Sequence, residues 1–421
     1  MILWIVLILL LLAGAPLFTI MLACAMLGFY QNDIHLSAVA IEFYRVADMQ
    51  VLIAIPLFTI SGYILGYSRS PQRLVELTEA LLGWVPGGLA IVSLIACALF
   101  TAFTGASGVT IVAMGALLFP ALKHAGYPER FNLGLITTSG SLGLLFVPSL
   151  PIILYGVVAQ QMSLPEPVQI DDMFLAGLLP GLLMIVLLSI WSALQYRPVF
   201  TEASGKTVWA TIKAAAWEIP LPVVVLGGIY GGWIAVSEAA AITALYVLIV
   251  EVGIRREIAL KDLPRIVRES MMMVGGIMVI IGASMASTNY MIDAEIPSRL
   301  FEFVTSHVHT RWTFLLLLNV FLLLLGMILD IFPAIVLMVP LLLPVGLAYG
   351  VHPVHLGIIF LANLQIGYFM PPAGINLFIS SYYFDKPILE ICRACIPFFF
   401  ILLLSVLIIT YVPWLSLALL N

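Results

Sequence analysis

Asp330 is the one acidic side chain set deep in a pair of apolar arms, between residues 313–329 and 334–347. A carboxylate at the middle of a bilayer costs about 2.5–3.5 kcal/mol on insertion scales, which makes it a candidate for ion or solute handling. The competing reading is a helix cap, because Asp readily accepts from the free N–H groups of a helix start. Three more polar or proline-bearing breaks interrupt apolar stretches in the same way. They are Thr104-Gly105-Ala106-Ser107-Gly108-Val109-Thr110, the run 140–151 with Gly140, Gly143, Val147, Pro148 and Ser149, and the run 367–376 with Gly367, Met370, Pro371, Pro372 and Asn376. Glycine frees the backbone and proline removes a helix hydrogen bond. An unwound membrane helix must satisfy the exposed groups, and its free carbonyls suit a cation while helix N-termini suit an anion. The pattern therefore points to two cation sites, one between the first and second breaks and one between the third and fourth. An anionic solute is expected between them, with Ser107, Thr110, Ser149 and Asn376 supplying side-chain polar groups. The alternative is that glycine and proline only allow kinks and close helix packing.

The remaining polar residues read as structural. Glu238 follows Ser237 at a helix start and reads as a cap, and Asn319, Asn363 and Gln365 as interhelical hydrogen-bonders. His307 and His309 lie outside the apolar arms and read as solvated loop residues. The cysteines are Cys24, Cys97, Cys392 and Cys395; the last two form a CxxC, but no second pair or histidine cluster completes a metal site, so free thiols are expected. Gly205-Lys206-Thr207 falls short of a P-loop, because Phe200 stands where an earlier glycine is required. No catalytic constellation emerges, so an enzyme is not expected, and ATP is not the expected direct energy source.

The elements that must carry these breaks follow from composition. The chain has 421 residues, 63% hydrophobic and 9% charged, against about 45–50% and about 25% in soluble domains. Such a chain cannot hide its apolar surface in water. With about 20 residues per span there is room for about a dozen membrane segments, helical because lipid cannot satisfy free backbone groups. The net charge of −5 and the lack of a basic tail argue against nucleic acid. The apolar start, residues 1–30, lacks a basic n-region and reads as a retained membrane segment.

Short basic loops stay in the cytoplasm. Arg69 with Arg73, Lys123 with Arg130, Arg197 with Lys206 and Lys213, and Arg255, Arg256, Lys261, Arg265 and Arg268 mark that side. The loop with Glu166, Asp171 and Asp172 has no Lys or Arg and marks the outer face, as does the mixed segment with Asp293, Glu295 and Glu302. The charges then fit if 88–104 with 109–122, and 313–329 with 334–347, are each two spans or a re-entrant hairpin, the first opening inward and the second outward.

The chain also repeats itself at an offset of 224 residues. Pro120 pairs with Pro344, Gly126 with Gly350, Gly143 with Gly367 and Pro148 with Pro372. The first inverted repeat is expected over 1–170, with its hairpin at about 88–125 and its broken helix at 131–158. The second is expected over 225–421, with its hairpin at about 312–350 and broken helix at 354–383, and 171–224 connects them. Residues 32–48 and 256–270 are expected to be equivalent interface helices. The expected fold class is an all-α polytopic membrane protein, and inverted repeats with interrupted segments point to a secondary transporter.

Ala54-Ile55-Pro56-Leu57-Phe58, the GASGVT segment 105–110, Phe119-Pro120-Ala121 with Ala125-Gly126-Tyr127, and residues 140–155 resemble the first half of the large membrane subunit of TRAP transporters, the DctM type. Residues 227–238, 353–367 and 371–376 resemble its second half. The resemblance implies an ATP-independent importer in the bacterial inner membrane that takes organic acids from a periplasmic substrate-binding protein with Na⁺, by an elevator mechanism with two re-entrant hairpins. It implies a small four-helix membrane subunit as partner, here a separate chain. It also implies that Ser107, Gly143, Val147 and Pro148 frame one Na⁺ site, and Asp330, Gly367, Met370 and Pro371 the other. One departure is Val147, where the family pattern has the first of two prolines. The readings that stay open beside it are a two-component carrier needing no binding protein, a channel, and a membrane scaffold without transport.

Overall fold

The computed structural model describes residues 7, 9–10, 15–82, 85, 87–162, 167–195, 208–231, 233–371 and 374–420. Much of the apolar opening, Glu166, Arg197, the near-P-loop with Lys206, and Pro372 of the repeat lie outside the described residues.

The described residues are all helix and connections. In chain order the helices are α1 (Leu17–Gln31), α2 (Ser37–Asp48), α3 (Ala54–Tyr67), α4 (Ser70–Leu82), α5 (Gly88–Thr104), α6 (Ser107–His124), α7 (Glu129–Ser139), α8 (Leu150–Gln161), α9 (Ile170–Gln195) and α10 (Val208–Ala214). They continue as α11 (Pro220–Tyr230), α12 (Val236–Leu248), α13 (Leu263–Asp293), α14 (Ile296–His307), α15 (Arg311–Ile328), α16 (Ile331–Ala348), α17 (Pro353–Gly367), α18 (Ile375–Phe384), α19 (Ile388–Tyr411) and α20 (Trp414–Leu417). Seven described helices are long and apolar enough to cross a membrane, or eight if α7 and α8, bent by 40° at their break, form one span. The expected dozen segments counted shorter pieces too. One is the 17-residue α5, about 26 Å long at 1.5 Å per residue and so short of the ~30 Å apolar core.

Proline and glycine set the boundaries. Gly105 ends α5 at φ +64°, in the left-handed region, and α6 starts two residues later. Gly126 and Gly350, 224 apart, lie just beyond α6 and α16 at φ +83° and +70°, the conformation in which glycine ends a helix without strain. Glu238 reaches back to accept from the Ala235 N–H at 2.8 Å, capping α12.

The two halves interlock. α6 packs on α18, the second part of the later broken segment, and α16 packs on α8, the second part of the earlier one. α5 packs on α7 and on the 3₁₀ turn Leu142–Leu145, and α15 packs on α17. α13 runs beside α1, α2 and α3, and α3 beside α12.

The structure corrects one pairing. Residues 256–270 are not a separate interface helix, because Leu263 onward already belongs to the 31-residue α13. At about 46 Å that helix is longer than the apolar core. Pro264 sits in its first turn, and no breaker follows before Ser270. The surface helices 224 apart are instead α4 and α14, each leading into a helix pair. Each carries one proline, Pro71 and Pro297, but these stand 226 apart rather than 224, so the offset is hard to see there.

A buried ion cluster fixes α4. Arg73 donates to Glu218 and to Glu257, each at 2.5 Å, and lies 3.3 Å from Glu251. Arg255 reaches Glu218 at 3.4 Å and the Ala214 carbonyl at 2.6 Å. The Arg69 backbone N–H adds a bond to Glu257 at 2.7 Å. Burial opposes charge on Glu257, but the Arg69 N–H and the Arg73 guanidinium hold its carboxyl below the usual range.

Candidate functional site

Each break leaves backbone groups that the neighbouring break partly satisfies. At the first, α6 begins with Ser107, whose hydroxyl donates to Asn376 Oδ1 at 2.8 Å. Asn376 stands in the first turn of α18. Its backbone N–H donates to the Tyr368 carbonyl at 2.9 Å, and its Nδ2 to the Thr137 carbonyl at 3.3 Å. Thr137 Oγ1 lies 2.8 Å from Ser380 Oγ. Ser107 and Asn376, named from sequence alone, therefore meet although they belong to different halves of the chain.

Thr110 and Ser149 do not join this contact through any hydrogen bond among the described residues. Thr110 Oγ1 lies 2.8 Å from Thr101 Oγ1, which also lies 3.0 Å from the Gly140 carbonyl. Ser149 donates to the Leu144 carbonyl at 2.5 Å, across the second break.

The glycine pair 224 apart does the same work twice. A Cβ on Gly143 would lie 2.2 Å from the Ala98 carbonyl oxygen and 2.5 Å from the Ala102 nitrogen. A Cβ on Gly367 would lie 2.5 Å from the Gly326 carbonyl carbon. Only glycine lets the broken segment approach the first arm of its helix pair this closely. The local bonds repeat as well: the Phe146 N–H donates to the Gly143 carbonyl at 3.0 Å, and the Met370 N–H to the Gly367 carbonyl at 3.1 Å. Val147 and Pro148 are buried in the second break, whereas Pro371 is exposed and Met370 half-buried.

Asp330 precedes α16 at its N-cap position, but its carboxylate takes no helix N–H as a cap. Tyr368 stands between: its hydroxyl accepts from the Ile331 N–H at 2.9 Å and donates to Asp330 Oδ1. The plain-cap reading is thus replaced by a relay that joins the third break to the fourth. Ser141 Oγ donates to the Gln365 carbonyl at 3.1 Å, across positions 224 apart.

For a cation the arrangement offers neutral oxygens and one carboxylate. The Thr104 hydroxyl and Gln365 Oε1 are buried with no hydrogen-bond partner among the described residues, and a carbonyl already accepting one bond keeps a second lone pair. Among the described residues no group of three or more His, Cys, Asp and Glu could hold a metal ion. A hard, weakly held monovalent cation fits this donor set better than a transition metal, which draws on imidazole or thiolate.

Sequence reasoning passed over Thr101, Thr137, Ser141 and Tyr368. Their only signal was position, since each lies within a few residues of a break. Asn319 accepts from Asn363 at 2.7 Å and from Thr410 at 3.0 Å, tying α15, α17 and α19. Gln365 Nε2 meets Met184 Sδ on α9. His309 is exposed in a connection, while His307 closes α14 rather than lying in a loop. All four cysteines are free.

Residues 4–415 match the family described as tripartite ATP-independent periplasmic transporter, DctM component. The chain is 33% identical to the C4-dicarboxylate TRAP transporter large permease protein DctM of Rhodobacter capsulatus, over 99% of this chain and 97% of that one. It is 30% identical to the ectoine TRAP transporter large permease protein TeaC of Halomonas elongata, over 87% and 85%. It is 33% identical to the isethionate TRAP transporter permease protein DctMQ of Oleidesulfovibrio alaskensis, over 87% of this chain and 57% of that one. In fold it is similar to the YdaH transporter of Alcanivorax borkumensis, with a TM-score of 0.62 at 14% identity, covering 91% of this chain and 88% of that one.

Proposed function

We propose a mechanism from the premise that the chain belongs to the tripartite ATP-independent periplasmic transporter family, as its DctM component. It is a large permease subunit, a multi-pass protein of the bacterial inner membrane. Our reading is Na⁺-coupled import of an organic acid delivered by a periplasmic substrate-binding protein, with a small four-helix membrane subunit as partner. Relatives named for C4-dicarboxylate and isethionate support an organic acid.

The observation that carries the reading is the Ser107–Asn376 contact, together with the matched close approaches at Gly143 and Gly367. Helix pairs α5/α6 and α15/α16 read as re-entrant hairpins because each pair packs on the other half's broken segment, and in the first pair α5 falls short of the apolar core. With those segments, α7/α8 and α17/α18, they form the block that would move as an elevator against α1–α3 and α11–α13. The repeats 1–170 and 225–421 are joined by 171–224 in this reading.

Bound Na⁺ supplies the positive charge that an anionic solute needs where the chain offers only neutral groups and Asp330. Ser107, Gly143, Val147 and Pro148 would hold one ion, and Asp330, Gly367, Met370 and Pro371 the other. Ser107 and Asn376 orient the solute between them, with Thr110 and Ser149 holding the breaks open behind it.

The test is uptake of labelled organic acids into proteoliposomes of this chain with its small-subunit partner, with and without an inward Na⁺ gradient and the binding protein. Uptake that needs both supports the reading. Saturable uptake with Na⁺ but no binding protein would replace it with a two-component carrier.

A further inference from the structure

We propose that a membrane phospholipid seats one acyl chain in the apolar groove between α14, α15 and α16, with its phosphate at Arg311. The groove encloses about 510 Å³, within the ~300–1,000 Å³ of ordinary small-molecule sites. Phe303 and His307 of α14, Phe314 and Phe321 of α15, and Met338 and Val345 of α16 line it. The two from each helix are four or seven residues apart, so each helix turns one continuous stripe to the groove. His307 is the only polar side chain in that lining.

The groove exists because the two halves differ here. In the first half α4 packs on α5 and is anchored by Arg73; in the second, α14 leans on α16 and leaves its seam with α15 open. Phe303 stays 63% exposed and Phe321 41%.

Position and charge select a lipid. Trp312 stacks on Tyr411 with ring centroids 4.9 Å apart, and Trp414, three residues after Tyr411, is exposed. Tryptophan and tyrosine gather at headgroup level, which puts the His307–Phe314 end at the membrane interface. From Phe314 to Phe321 the groove runs about 10 Å along α15 toward the apolar core. Arg311 lies three residues before Phe314 on the same helix face, and His309 adjoins it; both are exposed. Among the described residues Arg311 makes no salt bridge. A guanidinium matches a phosphate with paired hydrogen bonds, whereas an apolar helix of a partner would leave this cation unmatched. The inference requires only that the chain spans a membrane, and it is independent of the solute.

The test uses the full chain in liposomes containing phosphatidylglycerol with a photoactivatable group near the acyl end, followed by peptide mapping. Labelling is expected to concentrate on residues 300–308 and 338–345, above that on Ile396, Phe400 and Leu404, an exposed apolar stripe of α19. Arg311→Gln should lower groove labelling about fivefold, the effect of ~1 kcal/mol for one surface cation, and leave α19 unchanged. Because Arg311 is exposed, this variant keeps the fold, and its melting temperature checks that. Val304→Trp should fill the groove and abolish labelling there. Groove labelling no stronger than on α19, or unmoved by Arg311→Gln, overturns the proposal. So does protection of the groove by a protein chain, whether a second copy or a co-purified partner.

Discussion

Ser107 donates to Asn376 across 2.8 Å, and this bond joins the first break of one half to the last break of the other. Both residues are buried, so removing either leaves an unmatched polar group, at about 1–3 kcal/mol. If the contact frames the solute, Ser107→Ala and Asn376→Ala should each lower uptake about tenfold, with weaker Na⁺ dependence. Initial-rate uptake across a Na⁺ series decides the matter. Unchanged rates and ion dependence in both variants would sink the assignment.

Gly143→Ala and Gly367→Ala should both destabilise the protein, because each new Cβ would meet backbone at 2.2–2.5 Å. Backbone cannot swing aside as a side chain can, and overpacking of this kind costs about 1–3 kcal/mol. Gly276 in α13 has nothing within 4 Å of its would-be Cβ. Gly276→Ala should therefore be neutral or stabilising, by up to about 1 kcal/mol. Melting in detergent compares the three; equal shifts would contradict the close-approach argument.

The breaks were legible because they use residues that stand out in an apolar chain: Asp330, Gly143 with Gly367, and Asn376 next to the Pro371 break. What those residues touch was not legible. Tyr368 lies 38 positions from Asp330, and a tyrosine in such a break carries no mark of that bond. The α4–α14 equivalence was missed for a related reason. Their prolines, Pro71 and Pro297, fall 226 apart, two residues off the spacing that the other glycine and proline pairs keep. The Arg73 cluster gathers residues up to 188 apart; its arginines were read only as markers of the cytoplasmic side.

That cluster makes a stability prediction. Among the described residues, Arg73→Ala would leave Glu251 without its ion-pair partner, and Glu218 and Glu257 with Arg255 as their only cation, and removing one partner of a buried charge network costs about 3–5 kcal/mol. Chemical denaturation of the purified protein should show it, and a loss below about 1 kcal/mol would mean water reaches the cluster freely.

Glu257 gives the same cluster a pH signature. Burial disfavours its charge, but the Arg69 N–H and Arg73 outweigh it and lower its pKa below the ordinary 4.5. A carboxyl depressed in the folded state binds its proton more readily when unfolded. Its contribution is therefore complete above pH 4.5 and is lost as pH falls below that value, through the folded pKa. Glu257→Gln should flatten the stability curve in that acid window and leave its neutral side parallel to the unchanged protein. A melting-temperature series across the window reads the difference.

Asp330 and Tyr368 can be separated by two conservative changes. Tyr368→Phe keeps the ring but leaves the Ile331 N–H without its acceptor and Asp330 without its donor. One buried donor unmatched costs about 1–3 kcal/mol, so a lower melting temperature is expected whatever the site does. Asp330→Asn retains an acceptor for the Tyr368 hydroxyl and removes the charge. If the carboxylate holds a cation, that variant should keep its stability without Na⁺ and lose the stabilisation that Na⁺ gives the unchanged protein. Thermal melts with Na⁺ and with choline in its place separate the two roles. An Asp330→Asn protein still stabilised by Na⁺ to the same extent would assign the carboxylate to structure alone.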